Sequence, residues 1–273
     1  MLAPAPKNVR ENIARAKAYL RREDLPRAME AMGTALRAYA GTKLIGQARF
    51  ETEVNVLEFV NDLNRHHLLR QFFEARQVFN GPYVTYARGE ENTLAERLET
   101  IGAAMTEEST RKEREREAKV GMRREELILG GQAKLDEGDM PRGRSFLKRA
   151  ADEFGHEPGV LADIGQRLLQ KELLFEAAEM FEAAIETFPT ESKAYAGSVS
   201  CYIKLQEYEK AETIYMKALR QFGAHPRTLI NIAKLYMLWR KRDKAYEYAK
   251  RALGIDPKLK EAQEIMEAAS GRT

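Results

Sequence analysis

A single interval organises the second half of this sequence. Stepping 34 residues forward from Ala177 reaches Ala211 and then Ala245, and stepping back reaches Gly143; all four are small. Phe181 maps in the same way to Tyr215 and Ala249 and back to Leu147, and Ala184 maps to Ala218 and Ala252 and back to Ala150. Upstream, Leu168, Tyr202 and Tyr236 form one column, and Gly131, Gly165, Val199 and Ala233 another. Pro189 and Pro257 close their units, with Gly155 and Gly223 at the equivalent places. The columns hold over four units without insertion or deletion. Self-similarity at a fixed period of this length means stacked helical hairpins, none of which can bury its apolar face alone. The small columns let two helices of a hairpin approach, and the aromatic columns fill the space between hairpins.

This pattern resembles the tetratricopeptide repeat family. The unit built on Leu161, Ile164, Gly165, Leu168, Ala177, Phe181, Ala184 and Pro189 matches best. The first unit matches less well, with Lys134 in the aromatic column and Gly143 in the alanine column. The resemblance implies an all-α, α-α superhelix over residues 125–273, with four repeats in 125–257. Lys258 to Ala269 follows as a capping helix, with Leu259, Ala262, Ile265, Met266 and Ala269 on one face.

Residues 1–105 read as a divergent helical region. Ala16, Tyr19, Ala28, Met32, Ala35 and Ala40 fall at the offsets of the same template, with Glu23-Asp24-Leu25-Pro26 as the turn. From Leu44 to Val78, Phe50, Val54, Leu57, Val60 and Leu63 outline an amphipathic helical stripe. Phe79 to Gly89 opens on Asn-Gly-Pro and continues in an aromatic, β-branched run that reads as extended. Helix resumes at Thr93, where Thr93 and Glu96 have capping-box spacing. Residues 106–124 are almost wholly charged and lack a coiled-coil seam, which makes them a solvated helical spacer or a linker.

Composition excludes several classes of function. The 45 basic and 42 acidic side chains nearly cancel at +3, which argues against a dedicated nucleic-acid binder. Cys201 is the only cysteine, so neither a disulfide framework nor a cysteine zinc cluster can form. Its place beside Tyr202 suits a buried thiol. His66 and His67 are adjacent and on a helix would point about 100° apart, poorly placed for one metal. Met1 to Lys7 carries no apolar core of signal length, and no apolar run approaches the roughly 18 residues of a membrane span. The expectation is a cytoplasmic protein that is not an enzyme, with no catalytic group, cofactor or metal.

The resemblance implies a concave surface lined by the first helix of each hairpin. Its candidate partner-binding residues are Gln132, Gln166, Lys193, Ser200, Lys204, Arg227, Asn231 and Lys234. Glu125, Asp136 and Asp163 would make one end mildly acidic, and Arg227, Asn231 and Lys234 together could hold a carboxylate at the other. Some family members clamp a chaperone C-terminus with lysine and asparagine. Here Ala162 and Ala196 stand in the lysine column, and Gln132, Gln166, Ser200 and Lys234 in the asparagine column. The expected function is a protein-binding scaffold or adaptor for a protein or extended peptide, with an acidic partner and a homo-oligomer both left open. The alternative is a nucleic-acid-binding repeat protein using the basic last repeat together with Tyr236, Trp239 and Tyr248.

Overall fold

The computed structural model describes residues 4–271, so the first three residues of the Met1–Lys7 segment lie outside them. The described residues form thirteen α-helices and no strand, as the periodicity requires. They fall into two compact units, residues 1–118 and 119–273.

The first unit contains α1 (Lys7–Arg21), α2 (Leu25–Ala40), α3 (Gly46–Arg65), α4 (His67–Glu74) and the opening turns of α5 (Glu91–Asp136). Its core gathers Val9, Ile13, Ala16 and Leu20 of α1 with Met29, Met32 and Leu36 of α2 and Phe59, Val60 and Leu63 of α3. The α1–α2 hairpin has the template's geometry. Glu23 takes a left-handed φ of 62°, Asp24 N–H donates to Tyr19 O at 3.1 Å, and Asp24 Oδ1 caps α2 by accepting from Arg27 N at 3.3 Å. Pro26 sits in the first turn of α2, where its missing N–H costs little.

Four expectations for this region are corrected. The buried face of α3 is Thr52, Val56, Phe59, Val60 and Leu63, whereas Phe50 is 67% exposed and Leu57 44%. The Thr52 hydroxyl donates to Ala48 O at 2.8 Å, which satisfies it inside the core and conceals that face from a hydrophobic pattern. Helix does not run unbroken from Leu44 to Val78, because His66 is extended (φ −70°, ψ 128°) and separates α3 from α4. Residues 79–89 form an irregular loop without a strand, anchored in part by Asn64. Asn64 Oδ1 accepts from Tyr83 N (2.8 Å) and Val84 N (3.1 Å), while Asn64 Nδ2 donates to Val84 O (2.7 Å). Tyr83 stacks on Phe73 at 4.5 Å and Val84 is buried, so the loop docks on this unit. The helix after it begins at Glu91, two residues before Thr93, and Glu91 Oε1 accepts from Gly89 N and from the Tyr86 hydroxyl. The Thr93–Glu96 capping box is therefore replaced by a glutamate at the helix start.

Residues 106–124 lie within α5, and side chains 109–120 are all exposed. A helix polar on every face gains from i,i+4 ion pairs, here Lys112–Glu108 at 2.6 Å and Arg111–Glu115 at 3.7 Å.

The second unit takes the rest of α5 and adds α6 (Met140–Phe154), α7 (Val160–Gln170), α8 (Leu174–Thr187), α9 (Ser192–Lys204), α10 (Tyr208–Phe222), α11 (Pro226–Leu238), α12 (Arg242–Ile255) and α13 (Lys260–Ser270). The interval of the sequence reappears in the backbone. Gly138, Glu172, Gln206 and Arg240, each 34 residues from the next, have φ of 85°, 57°, 61° and 58°. At each turn one N–H reaches back five residues to close the preceding helix: Asp139 to Lys134 O, Leu173 to Leu168 O, Glu207 to Tyr202 O and Lys241 to Tyr236 O, at 2.8–3.0 Å. Ala177, Ala211 and Ala245 have no exposed surface, as the small columns demand. The capping helix is α13, with Ala262 buried and Ile265 and Met266 packed on Leu229, Ile230 and Ala233.

Candidate functional site

The close approaches in the second unit depend on glycines facing one aromatic ring. A Cβ at Gly165 would lie 3.0 Å from the Phe181 ring, and one at Gly197 would lie 2.3 Å from Phe181 Cζ. Beside Gly197 lies a cleft of about 530 Å³ whose apolar lining is Ala162, Leu169 and Ala196, with Phe181 buried beneath at 1% exposure. Asp163 and Gln166 of α7, Lys193 and Ser200 of α9, and Glu191 just before α9 surround it. Glu191 Oε2 is buried without a hydrogen-bond partner, and Lys193 is exposed and makes no ion pair among the described residues. An apolar floor with a few convergent polar groups is the ordinary composition of a binding cleft.

The cleft brings together Gln166, Lys193 and Ser200 of the sequence candidates. The other five lie elsewhere on the unit. Gln132 Nε2 donates to Asp136 Oδ1 at 2.9 Å, and its Oε1 accepts from Arg167 at 3.4 Å. Lys204, Arg227 and Asn231 are exposed. Lys234 is paired with Glu261 of α13 at 2.5 Å, so the chain itself supplies a carboxylate at that position. Sequence reasoning missed Glu191, which precedes α9 and so lies outside the first helices from which the candidates were drawn.

The charge lining also differs from the expected acidic end. Lys171 pairs with Asp136 at 2.7 Å, and Arg167 with Asp163 at 2.9 Å, which neutralises those acids. The hydrogen bond from Lys171, then that from Gln132, holds the Asp136 carboxyl below its ordinary range. In the second repeat Glu176 pairs with Arg144 and Glu182 accepts from the Tyr202 hydroxyl. In the last repeat Lys244 pairs with Glu212, Lys241 lies over Trp239 at 3.0 Å and Arg251 over Tyr248 at 4.9 Å. The aromatic set invoked for base stacking is spent on packing: Tyr236 is 1% exposed and stacks on Trp239. The nucleic-acid alternative thus loses its stacking platform.

Cys201 is fully buried, and burial pushes its thiol up to about 11. The two histidines behave otherwise than expected. Because the helix breaks at His66, the His66 and His67 rings stack at 4.8 Å and face the same side, and Glu23 joins them. Burial, and next the neighbouring His67, lowers the His66 pKa against the pull of Glu23.

Residues 168–228 and 226–259 match family models described as tetratricopeptide repeat. The TPR repeat-containing protein YsoA of Bacillus subtilis (strain 168) is 31% identical over 116 residues, 42% of this chain. The match spans 33%, about one third, of that relative's length. Among solved structures, a MamA protein is 18% identical with a TM-score of 0.44, over 55% of this chain and 82% of its own. A tetratricopeptide repeat protein from Parabacteroides merdae ATCC 43184 is 24% identical with a TM-score of 0.44, over 55% of this chain and 61% of its own. The period, the repeated left-handed turns and the paired helices agree with these matches, and residues 168–259 are tetratricopeptide repeats.

Proposed function

We propose that this chain is a non-catalytic scaffold that holds an extended, acid-bearing peptide segment of another protein in the cleft between α7 and α9. The observation that carries this reading is the cleft in which Gln166, Lys193 and Ser200 meet beside Leu169. Lys193 on the same rim offers a charge to a ligand carboxylate, and Gln166 and Ser200 offer donors and acceptors to its backbone. An apolar ligand side chain would sit on Leu169.

The test is selection of extended peptides from a random display library on the full chain, followed by fluorescence polarisation of those enriched. Enrichment of acidic sequences, with Lys193→Glu weakening them by about tenfold or more, is the expected result. Enriched peptides whose affinity is indifferent to both Lys193→Glu and Glu191→Ala would place the site elsewhere.

A further inference from the structure

We propose that Glu23, His66 and His67 form a zinc-binding site that ties the α1–α2 turn to the break between α3 and α4. One donor atom from each residue lies within 4.8 Å of the other two. Two imidazoles and a carboxylate are a donor set that zinc accepts, with three protein ligands and a fourth position left open. In a tetrahedral site with bonds of about 2.0–2.1 Å, ligand atoms stand roughly 3.4 Å apart. Side-chain rotations that close the trio by little more than 1 Å therefore suffice.

The backbone explains why the three meet. Glu23 occupies the left-handed position of its hairpin turn, which carries its side chain out of the helix line. His66 is extended and caps the start of α4, so the two imidazoles are not spread by helical rotation and stack in one direction. Residues 43 apart in sequence are thereby juxtaposed at one end of the first unit. Two cationic side chains, Lys17 and Arg21, also line this end. Lys17 is already engaged by Glu58 (2.7 Å) and Asn55 (2.6 Å). A cavity of about 490 Å³, lined in part by Glu23 and His66, gives water access to the open coordination position.

The site also sets a cost. His66 Nδ1 accepts from Leu68 N at 3.3 Å, so a metal on Nδ1 displaces that bond, and a metal on Nε2 moves the ring proton to Nδ1 and ends it. The bond given up is long, and zinc replaces it with a stronger ligand contact.

Isothermal titration of zinc chloride into the full, untagged chain tests the assignment, with cobalt absorption reporting coordination geometry. We expect one equivalent bound with a dissociation constant in the micromolar range or tighter, and a tetrahedral cobalt spectrum. His67→Gln and Glu23→Gln, both at exposed positions, should each weaken zinc by about tenfold or more, while His156→Gln with His225→Gln should leave it unchanged. Circular dichroism shows that each variant retains its helix before it is titrated. Absence of binding, binding indifferent to His67→Gln, or binding lost with His156 and His225 overturns the proposal.

Discussion

Gly197 lies so close to the Phe181 ring that a methyl group there would stand 2.3 Å from Cζ, well inside contact distance. The first prediction concerns this pair. Gly197→Ala gains helix propensity, yet overpacking should outweigh it and destabilise the second unit by about 1–3 kcal/mol. Urea unfolding measures this, and Phe181→Leu in the same chain should recover a large part of the loss because the two residues share one space.

The second prediction concerns acid. Burial alone would raise the Glu212 carboxyl, but hydrogen bonds from Tyr236 and Lys244 and the charges of Lys244 and Lys241 outweigh it and hold the group below its ordinary 4.5. A carboxyl depressed on folding contributes stability that is full above its unfolded value and is lost as pH falls through the folded one. Glu212→Gln should therefore cost about 1 kcal/mol at pH 7, where a charged acceptor is lost. As pH falls through the folded value the difference between the two proteins should shrink, which urea midpoints measured from pH 7 into the acid range check.

Asn64 carries the third. Its side chain satisfies the N–H groups of Tyr83 and Val84 and the carbonyl of Val84, the last at 2.7 Å. Asn64→Leu leaves those groups without partners and should destabilise the first unit by about 2–3 kcal/mol. Limited proteolysis should then cut within residues 79–89 well before the wild-type chain is cut there.

A fourth prediction follows from the buried thiol. With its pKa pushed up to about 11, Cys201 is ionised to roughly one part in a thousand at pH 8 and is shielded as well. An aromatic disulfide reagent should fail to titrate it in the native chain and should titrate one thiol per chain in urea. Fast native labelling would show that α9 opens readily.

What the sequence made legible is the part of the molecule built by repetition. Ala177, Ala211 and Ala245 declare the close contacts of the hairpins, and Leu259 to Ala269 declare the helix that covers the last one, because each position meets the same environment in every unit. The first unit offers no such averaging. On α3 two stripes compete, one through Phe50, Val54 and Leu57, the other through Val56, Phe59, Val60 and Leu63. Only tertiary packing decides between them, and it chose the face containing the self-satisfied Thr52. The break at His66 carries neither glycine nor proline, so nothing local announced it. The cleft was half legible for a related reason. Periodicity places Gln166, Lys193 and Ser200 on first helices, but Glu191, which borders the same cleft, lies in the turn before α9.

The recurrence of one left-handed residue at 138, 172, 206 and 240 makes these repeats interchangeable modules at their joints. Excising residues 172–205 would splice Lys171 onto Gln206, a residue already able to adopt the φ required there, and would present Glu207 to the Leu168 carbonyl in place of Leu173. Such a shortened chain should keep its helical circular dichroism in proportion to its length, as a solenoid that can lose a storey without losing its staircase.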